Sequence, residues 1–210
     1  MAKHISFFSL FFFAAVMGCA SPSEGQTRRA PSPPEGRAQA IFAGGCFWCM
    51  EGPFEALDGV DSVESGYTGG RSEGPTYRQV SSGTTRHAEA VRVVYDPSRV
   101  SYAELLEVFW HNVDPTQADG QFCDHGPQYR TGVFVSNAEE RAQAEASRRR
   151  AAARLGRRIV TEITQAGPFW LAEDYHQDFH RTHPTRYRQY RAGCGRDRRL
   201  RALWGDDAGH

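Results

Sequence analysis

The chain has 210 residues with 25 basic and 25 acidic side chains, so its formal net charge is zero. This length suits one domain with a full hydrophobic core and short extensions. A balanced charge provides no bulk attraction for nucleic acid, so a nucleic-acid-binding function is not expected.

Residues 1–19 have the pattern of an export signal. A weakly positive start, "MAKH", precedes an apolar run, "ISFFSLFFFAAVMG", that is too short for a comfortable membrane span. The run ends at Cys19 in "VMGC", which resembles a bacterial lipobox whose cysteine is lipidated. Ordinary signal cleavage and an uncleaved anchor are the alternatives. We therefore expect an exported, periplasmic or extracytoplasmic lipoprotein, held at the membrane only by its N-terminus.

Residues 20–38 are rich in Pro, Ser and Gly and show no apolar period, which predicts a disordered tether. The folded domain is then 39–210, with a cysteine-bearing C-terminal tail over about 190–210.

Hydrophobic periodicity and turn residues predict the elements of this domain. Predicted strands cover 39–45, 60–70, 87–97, 131–137 and 158–164. Predicted helices start at Cys46 and cover 101–113, 138–155, 172–184 and a short stretch after Cys194. Ser101 with Glu104 forms a potential capping box, and Asn137 is a potential N-cap. A long polar loop is expected over 114–130. The mixture predicts an α+β fold, a mixed or antiparallel sheet with helices packed on it.

The sequence "GGCFWCMEGPFEAL" places Cys46 and Cys49 in a Cys-x-x-Cys pattern at the start of a helix. Zinc binding would require a second cysteine pair, which is missing. A structural disulfide or a pair of inert thiols is a further alternative without catalytic function. Thiol catalysis fits better, because the positive end of a helix dipole lowers a cysteine pKa and favours the thiolate. Cys46 is then the expected nucleophile, and Cys49, one turn further, could resolve its oxidised form.

Seven motifs occur in the order found in the A-type methionine sulfoxide reductases, the peptide-methionine (S)-S-oxide reductases. They are "GGCFWCME", "VESGYTGG", "PTYRQV", "HAEAVRVVYDP", "DPTQ", "DHGPQYR" and "AEDYHQ". The resemblance extends over about 39–190 and implies the two-layer, ferredoxin-like plait of that family. It also implies reduction of methionine (S)-sulfoxide, free or in proteins, and hence repair of oxidised exported proteins.

The resemblance implies a role for each matching residue. Cys46 matches the nucleophile and Glu89 the general acid that protonates the sulfoxide oxygen. Tyr77 and Tyr129 match two tyrosines that hydrogen-bond this oxygen, and Asp124 matches a loop aspartate of the same site. The aromatic pair, Phe47 and Trp48, would form an apolar seat for the S-methyl group.

The sulfenic acid left on Cys46 must condense with a second thiol. Cys194, in a glycine-flanked tail resembling those that carry resolving cysteines in the family, is favoured over Cys49. Many family members have Gly at the position of Cys49, so this chain departs from the simplest pattern. Cys123 is interpreted as an inert loop thiol, with a relay role as the alternative.

The family resemblance implies no metal and no bound cofactor, but an external thioredoxin-like dithiol as reductant. A monomer is expected. Two other functions stay open at this point: a thioredoxin-like thiol–disulfide oxidoreductase, and a lipid-tethered binding protein with an aromatic pocket.

Overall fold

The computed structural model describes residues 27–209. The predicted export signal with Cys19 lies outside these residues. Within them, no helix is both long enough and apolar enough to cross a membrane.

Within residues 27–209, eight strands form the sheets. They are β1 Ala38–Gly44, β2 Val60–Thr68, β3 Ala88–Tyr95, β4 Gly120–Gln121, β5 Asp124–His125, β6 Thr131–Val135, β7 Glu162–Gln165 and β8 Trp170–Leu171. The described part of the chain also contains seven α-helices: α1 Glu51–Glu55, α2 Tyr77–Ser81, α3 Tyr102–His111, α4 Ala138–Leu155, α5 Phe179–Thr182, α6 Pro184–Gly193 and α7 Arg196–Trp204. Short 3₁₀ helices lie at Phe47–Cys49, Pro127–Tyr129, Asp174–His176 and Gly205–Asp207.

The main sheet has the order β7-β6-β1-β3-β2-β8. Its four central strands are antiparallel neighbours and follow a β-α-β-β-α-β path, which is the predicted plait. Strand β7 joins β6 in parallel, and β8 joins β2 in antiparallel orientation, so the sheet is mixed. The α+β prediction is confirmed.

Alternation along β1 divides the core between the two faces of the sheet. Ala40 and Phe42 point into the larger cluster beneath α1, α3 and α4, whereas Ile41 and Ala43 point into a smaller cluster with Phe134 on the opposite face. The predicted capping residues occupy the N-termini of α3 and α4, the two longest helices packed on the sheet. Both capping-box bonds of α3 form, and the N-cap side chain of α4 accepts a hydrogen bond from the backbone of its first turn.

Residues 27–37, the described part of the predicted tether, are held on the domain by hydrogen bonds, unlike a disordered segment. The Leu171 N–H donates to Arg28 O at 2.9 Å, and the Ala30 N–H donates to Phe169 O at 2.8 Å. Pro31 O accepts from the buried Arg92 side chain at 2.6 Å. The polar composition of this segment predicts disorder. Composition cannot reveal that the edge strand β8 offers unpaired backbone groups with which the segment pairs.

The predicted helix over 172–184 is wrong, because a 3₁₀ turn and the four-residue α5 replace it and α6 begins only at its last residue. Asp178 has a left-handed backbone, with φ at 51°, between Asp174–His176 and α5. Pro184 then begins α6, where its missing N–H costs nothing. The predicted loop 114–130 also differs, since it contains the β4–β5 hairpin.

Candidate active site

Cys46 lies where β1 leaves the sheet. Gly45 has φ at +82°, and a Cβ there would lie 2.5 Å from the Gln121 Cβ, so a side chain would be excluded. This tight turn leads directly into the 3₁₀ helix Phe47–Cys49. The Cys46 thiol is free, and the residue is only 6% exposed.

Cys46 and Cys49 form a buried, hydrogen-bonded thiol pair. Burial and the adjacent Cys49 sulfur raise the pKa of the Cys46 thiol well above its ordinary value. The expectation that a helix N-terminus lowers this pKa is wrong. The helix that follows is one 3₁₀ turn and the five-residue α1, which is too short to outweigh desolvation.

Two arginines from the C-terminal helices face Cys49. The hydrogen bond from Cys46 is the main cause that lowers the Cys49 pKa, and the positive charges of Arg196 and Arg191 add to it. Arg191 also hydrogen-bonds the Cys49 sulfur. The lowered pKa favours the thiolate of Cys49, so Cys49 can accept a proton from Cys46.

Glu89 brings a carboxyl group to the buried thiols. It lies in β3 opposite Tyr67 of β2 and is 2% exposed. Its Oε2 accepts from the Phe47 N–H at 3.2 Å. Burial raises the pKa of Glu89 to about 8, so the carboxyl is mostly protonated at neutral pH and can act as an acid.

Tyr77 and Tyr129 bring two hydroxyl groups to the same place. Tyr77 begins α2, and its N–H donates to Glu173 Oε1 at 2.8 Å. The two hydroxyls hydrogen-bond each other, and both lie within the electrostatic reach of Glu89 and Cys46. Burial raises both tyrosine pKa values, that of Tyr77 to about 12, so both remain hydrogen-bond donors.

Asp124 reaches the nucleophile through a tyrosine. The Tyr190 hydroxyl donates its one proton to Asp124 Oδ2, and the same hydroxyl lies within hydrogen-bond reach of the Cys46 sulfur. Burial raises the Asp124 pKa. The aspartate therefore fixes the orientation of Tyr190.

The two aromatic residues differ in exposure. Phe47 is 1% exposed and packs against Tyr67, with ring centroids 5.9 Å apart. Trp48 is half-buried and stacks on Phe179, with ring centroids 3.7 Å apart. The Trp48 Nε1 donates to His176 Nδ1 at 3.2 Å. The structure thus places Trp48 at the surface of the site and Phe47 in the core beneath it.

The predicted resolving residue, Cys194, is paired elsewhere. It ends α6 and forms a disulfide with Cys123, whose Cα lies 4.9 Å away. The interpretation of Cys123 as an inert loop thiol is therefore wrong in this redox state. The sulfurs of this pair and the Asp124 carboxylate lie within 4.8 Å of one another, but disulfide sulfurs are not thiolate metal ligands.

Sequence reasoning assigned no role to several residues of the site, namely Tyr67, Glu173, His176, Tyr190, Arg191 and Arg196. Glu173 and His176 stand in the quoted motif "AEDYHQ", so a signal existed for them. Glu173 joins two tyrosines, because it also accepts from the Tyr67 hydroxyl at 2.8 Å. Tyr190 lies in a helix with no apolar pattern, so only its tertiary contacts identify it.

A buried dithiol, a protonated carboxyl and oriented tyrosine hydroxyls on an α+β sheet define a thiol-based oxidoreductase. The residues can supply a nucleophile, an acid for a leaving oxygen, and a second thiol.

Comparison with known proteins specifies the family. The family described as peptide methionine sulfoxide reductase matches residues 38–208. The Bacillus licheniformis peptide methionine sulfoxide reductase MsrA is 50% identical over 177 residues, covering 81% of this chain and 96% of that protein. The Rhizobium meliloti peptide methionine sulfoxide reductase MsrA 2 is 53% identical over 169 residues, covering 80% and 84%. Reduced Mxr1 from Saccharomyces cerevisiae superposes with a TM-score of 0.70 at 29% identity, covering 74% of this chain and 90% of that one.

The chain belongs to the peptide methionine sulfoxide reductase family, and its relatives are the A-type enzymes. The family resemblance predicted from the seven motifs is confirmed. A thioredoxin-like oxidoreductase and a lipid-tethered binding protein are not favoured.

Proposed function

We propose that this chain reduces the S epimer of methionine sulfoxide, free and in proteins, to methionine. The observation that carries the proposal is Glu89, a carboxyl whose burial keeps it protonated beside the Cys46 thiol. A disulfide exchanger depends less on such an acid, because its leaving group is a thiolate, which can depart unprotonated. A sulfoxide reductase does, because the sulfoxide oxygen is a poor leaving group until it is protonated.

In the first step, the Cys46 sulfur attacks the sulfoxide sulfur, and the Cys46 proton passes to the Cys49 thiolate. Glu89 gives its proton to the oxygen, which Tyr77 and Tyr129 hold by hydrogen bonds. The attack forms an S–S bond between Cys46 and the substrate, and the S–O bond of the substrate breaks, so the oxygen departs as hydroxide. The hydroxide then adds to the Cys46 sulfur, the S–S bond breaks with its electron pair returning to the methionine sulfur, and the oxygen ends on Cys46. The products are methionine and the sulfenic acid of Cys46.

Trp48 provides the aromatic surface for the S-methyl group, with Phe47 as its buried support. Its indole ring is fixed on one face by Phe179 and at Nε1 by His176. A fixed aromatic face favours contact with a methyl on sulfur.

Cys49 is the first residue to resolve the sulfenic acid. It already contacts Cys46, while Cys194 is bonded to Cys123. The Cys49 sulfur attacks the Cys46 sulfur, a disulfide forms, and the oxygen leaves as water. Cys194 remains the second candidate, because it lies one helical turn beyond Tyr190, which contacts Cys46.

A thioredoxin-like dithiol then reduces the Cys46–Cys49 disulfide, and no bound cofactor is needed. Yeast Mxr1 has been solved in complex with Trx2, which supports a donor of this kind. The enzyme works as a monomer.

The site of action is outside the cytoplasm, where the domain is anchored through a lipid on Cys19. This part of the proposal rests on the signal pattern of residues 1–19 alone. Cys19→Ser should release the protein from the membrane fraction of the producing cells. Unchanged membrane association would refute the lipid anchor.

An epimer-resolved assay tests the proposed function. Purified chain from residue 20 onward is given both epimers of a methionine sulfoxide peptide with dithiothreitol, and each epimer is quantified. Loss of the S epimer alone is the expected result. If neither epimer is consumed, or only the R epimer, the proposal is wrong.

A further inference from the structure

Arg196, the first residue of α7, places a positive charge in the interior beside the thiol pair. The residue is only 2% exposed. Its Nη2 donates to Gly44 O at 3.2 Å and contacts Met50 Sδ at 3.1 Å. A Cβ built on Gly45 would lie 3.8 Å from its Nη1. The guanidinium therefore lies against the chain just before and just after the segment 46–49, which holds both thiols.

No acidic side chain pairs with this buried guanidinium. Its Nη2 also donates to Asn112 O at 2.6 Å, and its buried Nε–H has no acceptor among the described residues. Within residues 27–209, no carboxylate lies within ion-pair distance of Arg196, although its charge does act on Asp124. A buried cation without an anionic partner is unfavourable, so its position favours a negative charge on a nearby group that can ionise.

The Cys49 sulfur can supply that negative charge. Cys49 is 1% exposed, and the positive charge of Arg196 acts on its sulfur. Arg191 hydrogen-bonds the same sulfur, but its guanidinium is already paired with Asp197 at 2.7 Å. A thiolate on Cys49 is therefore the anion that Arg196 otherwise lacks.

The other titratable groups that act on Cys49 carry no competing negative charge near neutral pH. Burial raises the pKa of the Cys46 thiol well above its ordinary value and that of Glu89 to about 8. Burial also raises the pKa of Tyr187 to about 12 and raises the pKa of Tyr190. Between pH 5 and pH 8, the titration of this group of side chains is therefore mainly that of Cys49, whose pKa is lowered to about 6 by the hydrogen bond from Cys46 and by the two arginines.

Oxidation removes the anion that faces Arg196. When Cys46 and Cys49 form a disulfide, the thiolate disappears and the guanidinium stays buried without a partner. When an external dithiol returns two electrons, the S–S bond breaks and the Cys49 sulfur becomes a thiolate. The Cys46 sulfur takes one of the two donor protons, and the other proton is released. A positive charge beside Cys49 therefore stabilises the reduced pair over the disulfide.

We propose that Arg196 is a positioning residue that holds the Cys49 sulfur as a thiolate and thereby makes the Cys46–Cys49 disulfide easier for a dithiol donor to reduce. This inference rests on the proposed function and specifies how its thiol pair is returned to the reduced state. A nearby opposite charge changes the ionisation constant of a buried group by about tenfold or more. The equilibrium constant for reduction should therefore be about tenfold larger with Arg196 than without it, which corresponds to about 30 mV.

A glutathione equilibrium tests the proposal without any sulfoxide. The chain is equilibrated with mixtures of reduced and oxidised glutathione between pH 5 and pH 8, then quenched with acid and alkylated. Peptide mass spectrometry counts the Cys46–Cys49 disulfide separately from the Cys123–Cys194 disulfide. Because no substrate is present, the result does not depend on turnover, and the epimer-resolved assay tests the proposed function separately.

In the parent chain, the equilibrium constant for reduction of the Cys46–Cys49 disulfide should be constant below about pH 6. It should rise about tenfold for each pH unit from there to pH 8, because the reduced pair then takes up one proton fewer. Arg196→Met should move the start of this rise to higher pH and lower the constant at pH 7.5 about tenfold. Arg196→Gln removes the charge but keeps N–H donors for the two carbonyls, so it should give the same result and replaces Arg196→Met if that variant does not fold.

Arg201→Met is the matched control, because it makes the same change at an exposed position of the same helix. Its equilibrium constant should equal that of the parent at every pH. A folded Arg196 variant with the parent's constant would overturn the proposal, and so would a parent constant that does not change up to pH 8. If no glutathione mixture produces the Cys46–Cys49 disulfide, this inference is wrong, whereas loss of the S epimer would still support the proposed function.

Discussion

Burial determines what the carboxyl of Glu89 can do. A solvent-exposed glutamate is ionised at neutral pH and cannot donate a proton. Glu89 is 2% exposed, with one hydrogen bond from the Phe47 N–H, and its pKa is raised to about 8. The fold therefore converts a common residue into an acid.

The pH dependence of turnover follows from this pKa. The active form of Glu89 is the protonated one, so the rate of sulfoxide reduction should fall above pH 8. The rate should also fall below about pH 6, because Cys49, whose pKa is lowered to about 6, can then no longer accept the Cys46 proton. Glu89→Gln keeps an acceptor for the Phe47 N–H but has no proton to give, so kcat should fall about 10²- to 10⁴-fold. The measurement is kcat against pH for both proteins, with the exposed Glu35→Gln as control. A Glu89→Gln enzyme within a fewfold of the parent would exclude Glu89 as the acid.

The two possible resolving thiols, Cys49 and Cys194, differ in the residue that each one contacts. Cys49 contacts Cys46, whereas Cys194 is bonded to Cys123. In the chain with an intact Cys123–Cys194 disulfide, Cys49→Ser should form one methionine per enzyme and then stop with thioredoxin as reductant. Cys194→Ser should continue to turn over. Rapid-quench counting of methionine per enzyme distinguishes the two, and the reverse pattern would assign resolution to Cys194.

The segment after β8 is an element shaped by tertiary contacts. Glu51 in α1 is fully buried, and its Oε1 accepts from the Ser65 hydroxyl at 2.8 Å and from the Asp178 N–H at 3.2 Å. Glu51 therefore ties the left-handed residue that interrupts the predicted helix to the main sheet. This tie orients the turn that carries Glu173 and His176.

Removing this tie should destabilise the fold. Glu51→Ala leaves a buried hydroxyl and a backbone N–H without their acceptor, at a cost of about 1–3 kcal/mol in the free energy of unfolding. Glu51→Gln keeps an acceptor oxygen and should cost less. Burial also raises the pKa of Glu51 to about 8. Because the Glu51 carboxyl ionises more readily in the unfolded chain, the free energy of unfolding should decrease as pH rises from 4.5 to 8. Glu51→Gln should remove this contribution to the pH dependence of stability. Urea unfolding at pH 5 and pH 8 measures both effects, and equal stability of all three proteins would contradict this role.

How much the sequence predicts depends on the range of the interactions. Helices α3 and α4 were predictable because their caps lie within three residues of the helix start. The strand β3 was predictable because β-branched residues precede a turn. The break at Asp178 was not predictable, because its acceptor, Glu51, is distant in the chain.

The same distinction applies to the candidate site. Cys46, Glu89, Tyr77 and Tyr129 were located by motifs, and the structure brings them together. Tyr190 and Arg191 were missed, because they lie on a polar, exposed helix whose pattern indicates only solvation. The lowered pKa expected for Cys46 was wrong, because burial cannot be deduced from a helix start.

At the scale of the whole molecule, one disulfide joins the C-terminal helices to the loop that carries Asp124. Cys123 and Cys194 are separated by 71 positions, and α6 between Pro184 and Gly193 contributes Tyr190 to the site. The C-terminal region is therefore a fixed wall of the site and not a free tail.

Cys194→Ser should lower the free energy of unfolding of the oxidised protein by about 2–4 kcal/mol, since a disulfide closing a long loop restricts the unfolded chain. The comparison is made by denaturant unfolding with and without dithiothreitol. In dithiothreitol the two proteins should unfold at nearly the same denaturant concentration. A difference that persists in dithiothreitol would show that the serine itself, and not the lost bond, causes the change.

The central claim is that Cys46 takes the oxygen from methionine (S)-sulfoxide. The most direct measurement uses the Cys49→Ser chain with its Cys123–Cys194 disulfide intact, mixed with one equivalent of each epimer separately. Intact and peptide-level mass spectrometry should find one added oxygen on Cys46 after the S epimer and none after the R epimer. Methionine should form in equal amount to the modified enzyme. An unmodified Cys46, or an oxygen found on another residue, would contradict the account.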